Sequence, residues 1–206
     1  MDIILDSLGK RFRYDWIFKN LNYSFHAGKM YGIKGPNGSG KSTLLKILSG
    51  HLSPSSGTVT YQKQGVEIQR NDLYKYLGYS GPYMDLIDEL SMEESLKFHQ
   101  KFKPFLEGLS VQEMISLLEL KKAAQKKINH FSSGMQQRLK LGLALCSQSD
   151  LLFLDEPNTN LDQSANDWFE KLLTRFRGDR TIFIASNEPR DFKYCEEILN
   201  IQDFKK

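Results

Sequence analysis

Gly35-Pro36-Asn37-Gly38-Ser39-Gly40-Lys41-Ser42-Thr43 is the stretch on which the reading of this chain turns. It fits G-x-x-x-x-G-K-S/T, follows a short apolar run over residues 30–33, and precedes a helical pattern with Leu44, Leu45, Ile47 and Leu48 on one face. Strand, loop and helix in that order predict a phosphate cradle. The glycines let backbone N–H groups turn inward with no Cβ in the way, at a helix N-terminus whose dipole favours anions. Lys41 adds a mobile positive charge for β- and γ-phosphates, and the Ser42 hydroxyl suits Mg2+. A Gly-rich turn capping an ordinary helix is the alternative reading, and it leaves the register of Lys41 and Ser42 behind a strand unexplained. By itself the stretch leaves GTPases, kinases and helicases open.

The chain has 206 residues, enough for a sizeable core in one domain or a domain with a lobe. Its 40% hydrophobic and 26% charged content is that of an ordinary globular protein. The net charge of +3 comes from basic residues scattered among acidic ones, which argues against a dedicated nucleic-acid binder. Lys121, Lys122, Lys126 and Lys127, the densest basic cluster, read as a solvated helix face. Two cysteines, Cys146 and Cys195, suggest thiols in a reducing compartment rather than a disulfide framework. No apolar run approaches the ~18 residues of a membrane span, and the N-terminus lacks a signal-peptide layout. The expected location is the cytoplasm, with any membrane role reached through a partner.

Residues 2–6 read as a short strand, and Leu21, Tyr23 and Phe25 alternate with polar neighbours as in a half-buried one. Between them, Phe12-Arg13-Tyr14-Asp15-Trp16 offers rings that either stack on a nucleobase or pad the sheet. Residues 58–61 and 76–79 read as further strands, separated by turns at Ser53-Pro54-Ser55-Ser56-Gly57 and near Gly65. From about residue 85 to 145 the pattern becomes helical. Ser91-Met92-Glu93-Glu94 and Ser110-Val111-Gln112-Glu113 have the S-x-x-E spacing of a capping box, and Pro104 separates the two segments they open. This predicts a helical lobe inserted into an α/β core.

Phe131-Ser132-Ser133-Gly134-Met135-Gln136 opens another helix with two hydroxyls and a glycine, an anion-competent N-terminus. Leu151-Leu152-Phe153-Leu154-Asp155-Glu156 is more telling. Four apolar residues mark a strand buried on both faces, and two carboxylates at its end are costly unless they bind metal or do chemistry. Asp155 is placed to hold Mg2+ directly or through water, and Glu156 to polarise an attacking water. The polar loop Asn158-Thr159-Asn160-Leu161-Asp162 leads into a helix with an apolar stripe from Ala165 to Phe176. Residues 181–186 read as a second fully buried strand ending at Asn187, and residues 198–201 as the last. Strands alternating with helices argue for a mainly parallel sheet whose ligand sits past the strand C-termini, where Lys41, Asp155 and Asn187 fall.

Taken together, these residues resemble the nucleotide-binding domain of ATP-binding cassette (ABC) proteins, over essentially the whole chain and in the family's order. Residues 35–43 look like its Walker A, 131–136 like its signature, 151–156 like its Walker B and 159–162 like its D-loop. The implied fold is an α/β P-loop NTPase with a RecA-like core, an antiparallel β subdomain and an inserted α-helical lobe. The core would span 1–82 and 146–206 and the lobe about 83–145. The implied cofactors are ATP and Mg2+, the metal held by Ser42 and Asp155. ATP would be held by Gly35, Pro36, Asn37, Gly38, Ser39, Gly40, Lys41, Ser42 and Thr43. In a head-to-tail dimer, Ser132 and Gly134 of a second cassette would face the γ-phosphate and Asp162 would signal across the interface. Glu156 would act on the hydrolytic water with Asn187 at the switch position, and Phe12, ahead of Tyr14, would stack on adenine.

The sequence departs from the family pattern in three places. Gly78-Tyr79-Ser80-Gly81-Pro82 resembles the Q-loop region without its Gln, Asn187 replaces the switch His, and the signature has Ser133 and Met135 where Gly and Gln are common. Asn donates to a phosphate oxygen but takes up no proton near neutral pH, so slow or partner-dependent hydrolysis is expected. The implied function is the ATPase subunit of a transporter, peripheral at the inner face of the cell membrane. It would dock on transmembrane permease subunits near residues 83–96 and dimerise with itself or another cassette. The alternatives are a nucleotide-gated regulatory subunit with little turnover and a soluble non-transport ABC ATPase. Neither a long coiled coil nor a second cassette, the marks of the soluble classes, occurs in the sequence.

Overall fold

The structure, a computed structural model, describes residues 1–82 and 84–205 and folds the chain as two compact units. One comprises Met1–Tyr79, Ser149–Glu156 and Asp179–Lys206, the other Ser80–Gln148 and Pro157–Gly178. The second unit therefore takes in the helix after residue 157 as well as the anticipated lobe.

In the first unit the strands are β1 (Asp2–Phe12), β2 (Asp15–Phe25), β3 (Met30–Lys34), β4 (Ser56–Lys63) and β5 (Val66–Ile68), followed by β6 (Leu77–Ser80), β7 (Leu151–Asp155), β8 (Thr181–Ser186) and β9 (Glu197–Asn200). Helix α1 (Lys41–Leu48) follows β3. Among the described residues they make two sheets. One is antiparallel, in the order β2-β1-β4-β5; the other runs β6-β7-β8-β3-β9, with β7, β8, β3 and β9 parallel. Strand β1 runs on to Phe12 rather than ending near residue 6. Ser7 takes a left-handed φ of 49°, and register shifts interrupt the pairing with β2, so the two-residue alternation that marks a strand in sequence is lost beyond that point.

Every residue of β3 except Lys34, and all of β7 and β8, is buried, as parallel strands covered on both faces require. Phe153 and Phe183 stack at 4.9 Å between centroids, Tyr31 stacks on Phe183 at 5.7 Å, and Phe25 meets Phe183 edge-on. Each such aromatic contact contributes about 0.5–1.5 kcal/mol beyond area burial. This core fixes the sheet from which the phosphate loop springs.

The second unit holds α2 (Met92–Phe102), α3 (Val111–Leu117), α4 (Ser133–Cys146) and α5 (Gln163–Phe176). Both anticipated capping boxes form, with Ser91 and Ser110 each exchanging hydrogen bonds with the Glu three residues on. Between the helices the chain is less helical than its pattern suggested. Left-handed Glu107 (φ 55°) and Glu119 (φ 58°) break it into short turns.

Half-buried His99 ties α2 to the end of α4. The Ser147 hydroxyl donates to Leu143 O at 2.6 Å, so it accepts from His99 Nε2–H at 2.7 Å, which sets the tautomer. Burial lowers the His99 pKa to about 4. Because the folded pKa lies below the unfolded one, neutral His99 costs nothing at pH 7, and stability is lost as pH falls through about 6.5 towards 4, by up to about 3 kcal/mol. We expect denaturant midpoints measured from pH 7 to pH 4 to fall, and to fall less in His99→Gln; equal slopes would remove His99 as the cause.

Candidate active site

Strand register builds the site. Lys34 lies opposite both Ser186 and Asn200, and Asp155 lies opposite Ala185. The residues that follow, Gly35, Glu156 and Asn187, therefore emerge side by side at one end of the parallel sheet, where open α/β sheets bind ligands.

Gly35 leaves β3 and the loop closes back on itself, with Ser39 N–H donating to Pro36 O at 3.1 Å. Asn37 and left-handed Gly38 (φ 74°) form its turn. Gly40, at φ 108°, is the N-cap of α1, and a Cβ there would come within 2.3 Å of Ile17 on β2. The loop thus lies directly against the β1–β2 hairpin. Lys41, Ser42 and Thr43 begin the helix. Lys41 is buried, and its Nζ donates to Gly35 O at 2.9 Å and lies 3.1 Å from Glu156 Oε1.

Ser42 Oγ donates to Asp155 Oδ1 at 3.0 Å, and Tyr79 OH lies 3.5 Å from Oδ2. Burial pushes the Asp155 carboxyl above the usual carboxylate range, with the Ser42 hydrogen bond working in the opposite direction. A buried carboxylate of this kind favours a cation partner. A hydroxyl and a carboxylate oxygen 3.0 Å apart also make the hard, sparse donor set that Mg2+ takes beside phosphates and waters. The buried Ser39 Oγ in the loop has no hydrogen-bond partner among the described residues, an orphaned polar atom of the kind a bound phosphate would satisfy.

Glu156 sits at a left-handed φ of 49°, held by its N–H to Ala185 O at 2.8 Å. That turn sends its side chain back over the loop, where Oε1 meets Lys41 and Oε2 lies 3.3 Å from Ser186 Oγ. Asn187 is exposed. It lines a polar cleft of about 480 Å³ with Lys34, Gly35, Pro36, Asn37, Asn200 and Gln202. Glu156 is thus held by Ser186 rather than by Asn187.

The early aromatics flank a hairpin turn. Phe12 is 49% exposed, with Lys10 Nζ 5.1 Å from its centroid; Tyr14 at the tip is 94% exposed, and Trp16 lies under Arg11. Phe12 and Tyr14 are thus both open to a base, while Trp16 also packs beside Gly9.

In the second unit, Ser132 caps α4 by accepting from Met135 N–H at 3.3 Å. Gly134 leaves room for a close approach, since a Cβ there would lie 3.3 Å from Asn160 O. The buried Gln137 amide donates to Pro157 O at 2.8 Å, so α4 is tied to the chain just before the polar loop 158–162. Asp162 caps α5, accepting from Ala165 N–H at 2.8 Å and from Ser164 Oγ at 3.0 Å. Those bonds, the Ala165 one foremost, hold its carboxyl below the usual range. The Asp162 carboxylate is therefore engaged within its own helix. Of the Gln-less junction, Gly81 and Pro82 are described while Tyr83, where the expected docking segment begins, lies outside the described residues. Ser186, Asp191, Gln137 and Tyr79 were not singled out in sequence as site residues. They carry no spacing signal, and only the register of β7 and β8 or helix contact gives them a role.

The sequence profile described as "ABC transporter" matches residues 18–159. A lantibiotic transport ATP-binding protein of Streptococcus pyogenes is 32% identical over 204 residues, covering 96% of this chain and 81% of that one. A cytochrome c biogenesis ATP-binding export protein of Agrobacterium fabrum is 29% identical, with 96% and 94% covered. Among solved structures, the dimeric structure of a bacterial ABC transporter cassette superposes with a TM-score of 0.81 at 23% identity, covering 97% of this chain and 94% of that one. A putative ABC transporter ATP-binding protein from Pyrococcus furiosus gives 0.80 at 22% identity over the whole of both chains. The fold, the phosphate loop with its paired carboxylates and the matched profile agree: this chain belongs to the ABC transporter family, as an ATP-binding subunit.

Proposed function

We propose that the chain binds ATP with Mg2+ and hydrolyses it to drive transport through separate membrane partners. The convergence of Lys41, Ser42, Asp155 and Glu156 on one phosphate loop carries this reading. Residues 35–43 cradle the phosphates with inward N–H groups, and Lys41 exchanges Glu156 for phosphate oxygens when ATP enters. Mg2+, when bound, neutralises phosphate charge, and Ser42 and Asp155 are the residues that would hold it. Glu156, once clear of Lys41, takes the proton of the attacking water. Phe12, with Tyr14 as the second choice, stacks on adenine.

Two cassettes pair head to tail. Ser132 and the N–H groups at the start of α4 in one copy then face the γ-phosphate held by the other, and the D-loop that ends at Asp162 lies at the contact. No helix among the described residues is long and apolar enough to cross a membrane. In this reading, energy reaches the bilayer through partner subunits at its inner face. Asn187 donates a hydrogen bond to phosphate but relays no proton, which makes turnover slow or partner-dependent.

The test is isolation of the chain from membranes with whatever accompanies it, followed by ATP hydrolysis with Mg2+ and with EDTA. A permease partner and Mg2+-dependent turnover are expected. Recovery only with ribosomes or DNA, or ATP binding without turnover by the assembled complex, would overturn the reading. Asn187→His should raise turnover, about tenfold if the switch is limiting; an unchanged rate would clear Asn187 of that role.

A further inference from the structure

Behind Glu156 lies a pair of side chains that the mechanism above does not use. Ser186, the last residue of β8, is fully buried. Its Oγ lies 2.5 Å from Asp191 Oδ2 and 3.3 Å from Glu156 Oε2, and it accepts the Glu188 N–H at 3.0 Å. The Asp191 side chain is only 1% exposed, with Arg190 Nε 3.9 Å away.

A hydroxyl has one proton and two lone pairs. The Ser186 proton is shared: its short arm, 2.5 Å, goes to Asp191 Oδ2 as a charge-assisted bond, and its longer arm, 3.3 Å, reaches Glu156 Oε2. A lone pair receives the Glu188 N–H. The hydroxyl thus donates to the ionised Glu156, the form that takes a proton from water. The same contact fixes the carboxyl plane after Lys41 has turned to phosphate. Among the described residues, Glu156 has no other side-chain hydrogen-bond partner at that stage.

We propose that Ser186 and Asp191 act as one positioning unit, in which Asp191 orients the Ser186 hydroxyl and Ser186 holds Glu156 in line with the attacking water. This rests on the role given to Glu156 under the proposed function. In a cassette whose switch residue is Asn187, it gives Glu156 a partner from the same strand end that needs no imidazole.

The test compares Ser186→Ala, Asp191→Asn and the double variant in the full chain with its membrane partners, reading kcat, KM for ATP and the Kd of a fluorescent ATP analogue. About tenfold losses in kcat are expected for each single variant, with KM and Kd within about twofold, and no further loss in the double variant. Unchanged kcat in Ser186→Ala, losses that multiply in the double variant, or a loss that falls on Kd as much as on kcat would overturn the proposal. Should Asp191→Asn fail to fold, judged by thermal melting, Ser186→Ala alone decides it by the same split between kcat and KM. Failure of the unaltered complex to bind or cleave ATP would instead reject the proposed function itself.

Discussion

Replacing Glu156 with glutamine is expected to lower ATP turnover by about 10²–10⁴-fold while leaving ATP binding intact. The amide keeps the shape of the carboxylate and still offers an oxygen to Lys41 Nζ, 3.1 Å away in the native chain, so the loop keeps its geometry. What is lost is the capacity to take a proton from water. Nucleotide affinity should stay within a few-fold of native or tighten, since the lysine, with no carboxylate to leave, turns to phosphate more readily. Phosphate release under saturating ATP, beside equilibrium binding of a fluorescent analogue, separates the two quantities. Native turnover in Glu156→Gln would take Glu156 out of the chemistry, and the Ser186–Asp191 unit with it.

Gly40→Ala should be the most damaging single-methyl change in the phosphate loop. At φ 108° an L-residue is strained by roughly 1–2 kcal/mol, and the new Cβ would lie 2.3 Å from Ile17 Cγ2 on β2, an overlap costing roughly another 1–3 kcal/mol. Relief requires the loop to lift from the hairpin. Lys41, the next residue, moves with it, so ATP affinity should fall by about tenfold or more along with stability. Gly38→Ala is the control. Its φ of 74° carries the same kind of strain, but nothing lies within 4 Å of the added Cβ, so only the smaller term applies. Denaturant midpoints and ATP affinities of the two variants read the difference; equal effects would mean that contact with β2 does not hold the loop.

Much of this site was legible in the order of residues. Helix-capping serines, the apolar runs before residues 35, 155 and 187, and the glycine spacing of the loop are local features, decided by backbone sterics and by the need to bury a two-faced strand. Less legible was the first hairpin, because bulges near Ser7 destroy the alternation that identifies a strand, and the chain between α2 and α4, where left-handed Glu107 and Glu119 interrupt an otherwise helical pattern. For Asp162 the motif suggests a role across an interface, and the tertiary structure adds that its carboxylate caps α5.

The order of residues alone places a phosphate cradle after one buried strand, two carboxylates at the end of another, and a helical segment between them. Those are consequences of short-range chemistry. It took the assembled fold to show that Lys41 rests on Glu156, that Ile17 backs Gly40, and that Ser186 and Asp191 stand behind Glu156. Lys41, Glu156 and Ser186 are brought together by the parallel register of β3, β7 and β8, which is set by packing of the whole sheet rather than by any local run of residues, and Ile17 reaches Gly40 from the antiparallel sheet.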